Sequence, residues 1–204
     1  MNVSARMIIV LTFVGLISGG ILASVGILTK DRILQNRQKE IEEAILRVLP
    51  GTESSGIVFQ DESLSIYEGY DSADGSGAPT GFAILTQGTG FQDVISLMVG
   101  TTPELDSIRR LAVLEQNETP GLGAKITSQE VFLQFWEDKD ASGPLSLRKP
   151  AVSNREELAP NEVNTITGAT ISSQKVMEII NSAIASAKTL KQEGALQKEV
   201  SDGN

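Results

Sequence analysis

The sequence changes its hydrophobic pattern three times along its length. From Met7 to Leu28 it reads MIIVLTFVGLISGGILASVGIL, 22 residues without a charge. As an α-helix that run is about 33 Å long, enough to cross a hydrocarbon core of about 30 Å. It is read as one transmembrane helix over residues 7–28, preceded by a short tail at 1–6. The competing reading is a cleaved signal peptide, but the run exceeds an h-region of about 7–15 residues and no small-x-small site follows it. From Asp31 to Leu49 the spacing becomes helical: Ile33, Leu34, Ile41, Ala44, Ile45, Val48 and Leu49 form an apolar stripe that stops at Pro50-Gly51. Residues 29–50 are therefore expected to form an amphipathic stalk helix.

The period then drops to that of strands. Short β-rich runs cover Gly56–Gln60, Ser63–Tyr70, Phe82–Gln87, Val94–Val99, Ile108–Glu115 and Leu145–Lys149, separated by Gly, Asp, Ser and Pro. The polar stretch 71–79, DSADGSGAP, is a loop. A helix is predicted over Ser128–Trp136, capped by Thr127 or Ser128. The last helix is predicted from Ala169 to about Lys191, burying Ile171, Val176, Ile179, Ile180, Ala183, Ile184 and Ala187. A charged tail, 192–204, is expected to be flexible. The pattern gives an α+β fold class, with a single N-terminal transmembrane helix followed by a mostly antiparallel-sheet domain over 51–191 with flanking helices.

Composition narrows the chemistry. The 204 residues are 40% hydrophobic, enough for a core, and carry a formal charge of −9. Arg6 is the only charge before residue 29, so the rest holds 16 basic and 26 acidic groups, or −10. Nucleic acid is not an expected partner for such a chain. There is no Cys and no His, which excludes thiolate and imidazole metal sites, iron–sulfur ligation and triad hydrolysis. Redox chemistry, if present, must come from a bound cofactor. In the span, Gly15, Gly19 and Ala23 place small residues on one face, where another helix could approach. Lys30, Arg32, Arg37 and Lys39 follow the span against Arg6 before it, a bias that puts the C-terminal side in the cytoplasm.

Two short motifs carry candidate chemistry. Thr167-Gly168-Ala169-Thr170-Ile171 presents a threonine hydroxyl at a helix start, where free N–H groups and the helix dipole favour a phosphate. A plain N-cap is the alternative. About fifty residues earlier, Glu118-Thr119-Pro120-Gly121-Leu122-Gly123-Ala124-Lys125 joins a predicted strand to a predicted helix. Gly121 and Gly123 would let the backbone approach a flat ligand, Leu122 would lie on its face, and Glu118, Thr119 and Lys125 would add hydrogen-bonding groups. An ordinary turn is again the alternative. Asn2 and Asn117 also match the glycosylation acceptor pattern.

Taken together, ETPGLGAK, the later TGATIS, the Gly81–Gly100 segment and the N-terminal span resemble the G subunit of the Rnf electron-transport complex. They are also similar to the C subunit of the sodium-translocating NADH:quinone oxidoreductase, of the same FMN-binding domain family. The resemblance implies that residues 51–191 bind FMN. It further implies that Thr170 carries the cofactor through a phosphoester installed by a separate flavin transferase, with Thr167, Gly168 and Ala169 as recognition context. Thr167 stands where many members have Ser or Asp, and Gln116 where relatives often have His. Leu122, Gly121 and Gly123 would hold the ring, and Lys125 or nearby N–H groups would stabilise its reduced form. The protein would be one component of an ion-translocating oxidoreductase in the cell membrane without catalysis of its own, its domain extracytoplasmic and its partners the other subunits and lipid. The domain's side contradicts the count of basic residues. The alternatives are the corresponding component of the quinone reductase, which tends to be longer, a membrane-anchored binding module without cofactor, and a stand-alone flavin reductase. The last lacks a nicotinamide fingerprint.

Overall fold

A computed structural model describes residues 2–196. Its contacts divide the chain into two units, Met1–Glu42 and Glu43–Asn204. Residues 3–42 of the first unit belong to helix α1, Val3–Val48. Residues 3–6, expected as a tail, already form its first turn, because nothing between them and the span breaks helical geometry. The apolar side chains of the charge-free run are exposed, and the helix is long and apolar enough to cross a membrane. Ile33 and Leu34, expected on a buried stripe, are exposed as well.

In the second unit, β1 (Ser54–Gln60), β2 (Leu64–Tyr70), β3 (Pro79–Thr89), β4 (Val94–Thr101), β5 (Ser107–Glu115) and the short β6 (Lys139–Asp140) form one antiparallel sheet in sequence order. The first five coincide with the predicted runs to within three residues at each end. In β3 and β4, Ile84 pairs with Val99 and Thr86 with Leu97 on one face of the sheet. Strand β4 is buried from Ile95 to Thr101. On the sheet lies α2, Thr170–Gln192, through Val176, Ile180, Ala183, Ile184 and Ala187. The last turn of α1 packs against the sheet so closely that a side chain at Gly100 would collide with the Val48 carbonyl. A two-stranded parallel ladder, β7 (Ser146–Arg148) with β8 (Glu162–Asn164), leads the chain into α2.

Two further expectations differ from the structure. No α-helix spans Ser128–Trp136; the segment turns on the Ser128 carbonyl, which accepts from both Phe132 and Leu133 N–H at 3.0 Å, and tightens to a 3₁₀ turn at Leu133–Trp136. Bringing Phe132, Phe135 and Trp136 into the core together overrides helical propensity here. Ile171, expected on the buried face of the last helix, is 53% exposed. Of the tail expected from 192 to 204, Gln192 closes α2 and residues 197–204 lie outside the described residues, as does Met1.

Candidate functional site

The start of α2 is built from the chain that leaves β8. Ser173 is fully buried: its Oγ donates to the Ala169 carbonyl at 3.1 Å and accepts from the Ile166 N–H at 3.0 Å. That closes residues 166–169 into a turn, which requires Gly168 at φ +83. The first helical bond runs from Ser173 N–H to the Ala169 carbonyl, at 3.1 Å. Ala169 is therefore the N-cap, with no side-chain cap, and Thr170 is the first helical residue. The N-cap alternative for Thr170 fails on this geometry. Its hydroxyl makes no hydrogen bond among the described residues, and the N–H groups of the first turn have no intrahelical acceptor.

The earlier motif folds as a turn rather than a strand-to-helix junction. Leu122 N–H donates to the Thr119 carbonyl at 3.1 Å, with Pro120 and Gly121 (φ +77) between them. Pro then Gly with positive φ is the sequence of a type II turn. The chain continues into a 3₁₀ turn at Gly123–Thr127.

The two motifs meet. A cleft of about 300 Å³ is lined by Phe91, Thr119, Leu122, Gly123, Gly168, Ala169, Thr170, Ile171 and Ser172. Leu122 Cδ2 lies so near Gly168 that an added Cβ there would stand 3.3 Å from it. Six of the ten residues singled out in the sequence line this space: Thr119, Leu122, Gly123, Gly168, Ala169 and Thr170. Gly121, Lys125 and Thr167 are exposed and outside the lining.

Glu118 is 3% exposed and turned inward, its carboxylate taken up by protein donors instead of facing a ligand. Phe91, Ile171 and Ser172 were not anticipated as lining. Phe91 and Ile171 are 56% and 53% exposed and Leu122 46%, so three apolar side chains stand at the opening. The Gly-aromatic pair at 90–91 was a usable signal for the first of them.

Beside the cleft, the 90–93 turn is tied to the 117 loop. Asn117 Nδ2 donates to Asp93 at 2.9 Å and Val94 N–H at 2.7 Å, in that order of importance holding the Asp93 carboxyl below the usual aspartate range. A larger groove of about 700 Å³ lies between α2 and β1–β3, lined among others by Phe59, Leu64, Gly88 and Ile179. It shares no residue with either motif. Size alone does not make it the site.

Comparison with known proteins fits the smaller cleft. Residues 90–185 match the FMN-binding domain family, a range that contains both motifs and all nine lining residues. This chain is similar over that stretch to FMN-binding domains. It is 27% identical over 183 residues to the G subunit of the ion-translocating oxidoreductase complex of Methanosarcina acetivorans, covering 88% of this chain and 92% of that protein. It is 27% identical over 130 residues to the G subunit of the Na(+)-translocating ferredoxin:NAD(+) oxidoreductase complex of Acetobacterium woodii, covering 63% of this chain and 58% of that protein. Among solved structures, the C subunit of the Na(+)-translocating NADH-quinone reductase from Parabacteroides distasonis shares the fold, with a TM-score of 0.57 at 18% identity over 78% of this chain and 96% of that one.

The family is the one to which the two motifs pointed, and the antiparallel sheet with its C-terminal helix is the fold expected of it. The apolar N-terminal helix and the ion-translocating relatives make this a membrane protein. FMN suits the residues present. A flat ring would meet Leu122, Phe91 and Ile171, and a phosphate would meet the first-turn N–H groups of α2 beside the Thr170 hydroxyl.

Proposed function

We propose that this chain is a membrane-anchored flavoprotein that holds FMN as a phosphoester on Thr170. It relays electrons within an Rnf-type complex that couples the ferredoxin/NAD couple to Na⁺ or H⁺ translocation. The observation that carries this reading is the Thr170 hydroxyl: first helical residue, unbonded, in a cleft shared by both motifs. FMN, when bound, supplies the capacity to take up and release electrons. The chain's own residues do the rest. In the transferase reaction Thr170 Oγ1 would lose its proton and bond to the FMN phosphorus of an activated flavin donor as the bond from that phosphorus to the donor's leaving group breaks, and the first-turn N–H groups of α2 would hold the phosphate. Leu122, Phe91 and Ile171 would offer apolar surface to the ring, and Gly168 would keep the backbone clear of it.

A threonine hydroxyl is a weak nucleophile unless a base activates it. No His, Lys or carboxylate lines the cleft, so attachment calls for a separate flavin transferase. The exposed Thr167 and Gly168 leave the acceptor open to such an enzyme. Electron transfer needs no further catalytic group from this chain. Its partners are the other subunits of the complex and, around residues 7–28, lipid.

Two measurements test the reading. Co-expressed with a flavin transferase, the chain should give a flavin-fluorescent band on a denaturing gel; a dark band in the presence of active transferase overturns covalent attachment. The FMN domain is proposed to lie outside the cytoplasmic membrane, against the bias of Lys30, Arg32, Arg37 and Lys39, because partner helices can fix orientation as well as flanking charges. A reporter fused to the C-terminus should signal from the extracytoplasmic side, and a cytoplasmic signal contradicts that placement.

A further inference from the structure

We propose that Glu118 is the positioning residue of the flavin site, a single carboxylate that locks together the three segments forming the cleft. The proposal rests on the FMN reading above. Oε1 accepts from the backbone N–H groups of Phe91 at 2.7 Å and Gln92 at 3.1 Å. Oε2 accepts from Ser172 Oγ at 2.6 Å, across 54 positions of sequence. Its own N–H is held by Gln116 Oε1 at 2.7 Å. The segments so joined supply Phe91, then Thr119, Leu122 and Gly123, then Thr170 and Ile171 to the lining. Ser172 is two residues beyond Thr170 in the same helical turn, so its bond to Glu118 fixes where the Thr170 oxygen stands relative to Leu122 and Phe91.

The surroundings are shaped to admit this carboxylate. A Cβ at Gly123 would stand 2.7 Å from both Glu118 Oε2 and Ser172 Oγ, and one at Gly90 would collide with Oε1. Two glycines of the site therefore serve Glu118 rather than the ligand. The carboxylate is buried and its hydrogen bonds are made within the protein, so it acts on the flavin through the segments it holds and not by contact. A group locked by such supporting hydrogen bonds keeps a cofactor in one geometry, and loosening them lets it wander.

Because Thr170 would hold FMN covalently, position and retention can be separated. The full-length chain is loaded by a flavin transferase in membranes, and the visible circular dichroism per flavin and the flavin fluorescence anisotropy are read for the parent, Glu118→Ala, Glu118→Gln and Ser172→Ala. Glu118→Ala removes all three bonds and should lose most of the flavin's visible dichroism and lower its anisotropy, and Ser172→Ala, which removes one, should lose part of each. Glu118→Gln should restore both signals, since an amide oxygen can serve the two backbone N–H groups while its nitrogen donates to Ser172 Oγ. A stabilising role alone would move the melting temperature and leave both flavin signals at parental values, which overturns the proposal. So does a folded Glu118→Gln chain whose signals match Glu118→Ala. If Glu118→Ala does not fold, Ser172→Ala and Glu118→Gln decide on the same criteria. A parent band without flavin would instead overturn the attachment at Thr170, and this proposal with it.

Discussion

Thr170→Ala is expected to abolish covalent flavin, reducing gel fluorescence to background, while changing the stability of the domain by no more than about 0.5 kcal/mol. The two halves of that result have one structural cause. Thr170 is the first helical residue and not the cap, so no capping bond is lost, and its hydroxyl makes no hydrogen bond among the described residues. Alanine is the better helix former by a few tenths of a kcal/mol, which offsets the small area of methyl contact removed. Thr170→Ser keeps the hydroxyl and should keep the flavin. Gel fluorescence and thermal unfolding followed by far-UV circular dichroism check the two halves separately.

The opposite behaviour is expected at Trp136. Its side chain is fully buried, with its ring 5.6 Å from that of Phe132 at an interplanar angle of 65°, and its turn packs on β5 and β8 beneath the approach to α2. Truncating a buried Trp to Ala costs about 3–5 kcal/mol. The indole N–H is buried without a partner among the described residues, so removing it recovers roughly 1 kcal/mol of that loss. The net expectation for Trp136→Ala is about 2–4 kcal/mol, a fall in melting temperature of roughly 5–15 °C. Trp136→Phe keeps an aromatic ring in the core and sheds the unpaired donor, and should cost less than about 1.5 kcal/mol. Trp136 is the only tryptophan, so circular dichroism must follow unfolding in both variants.

The sheet was legible because its strands announce themselves locally. Ile84, Leu97 and Val99 alternate with residues of the other face, and Gly, Asp and Pro mark the turns. The site was legible in its parts but not in its arrangement. ETPGLG contains its own type II turn in Pro120-Gly121, and TGAT its own helix start, so each could be placed. What sequence could not show was the pairing of Glu118 with Ser172, since that bond is a product of the whole fold. Reading Glu118 as a ligand contact followed from proximity in the chain, yet the side chain turns inward to meet two N–H groups and a hydroxyl. Helical periodicity assigned Ile171 to the buried face, but it lies in the first turn of α2, where the helix borders the cleft. At Phe132–Trp136 three aromatics drawn into one core outweighed local propensity, and a predicted helix became a 3₁₀ turn.

Peptide mapping shows which oxygen of this chain carries the flavin. The chain is loaded by a flavin transferase and digested, and the flavin-bearing peptide is sequenced by tandem mass spectrometry. The FMN phosphoryl mass is expected on Thr170 and on no other residue. Finding it on Thr165, Thr167, Ser172 or Ser173, or on a peptide from outside the α2 start, would contradict it.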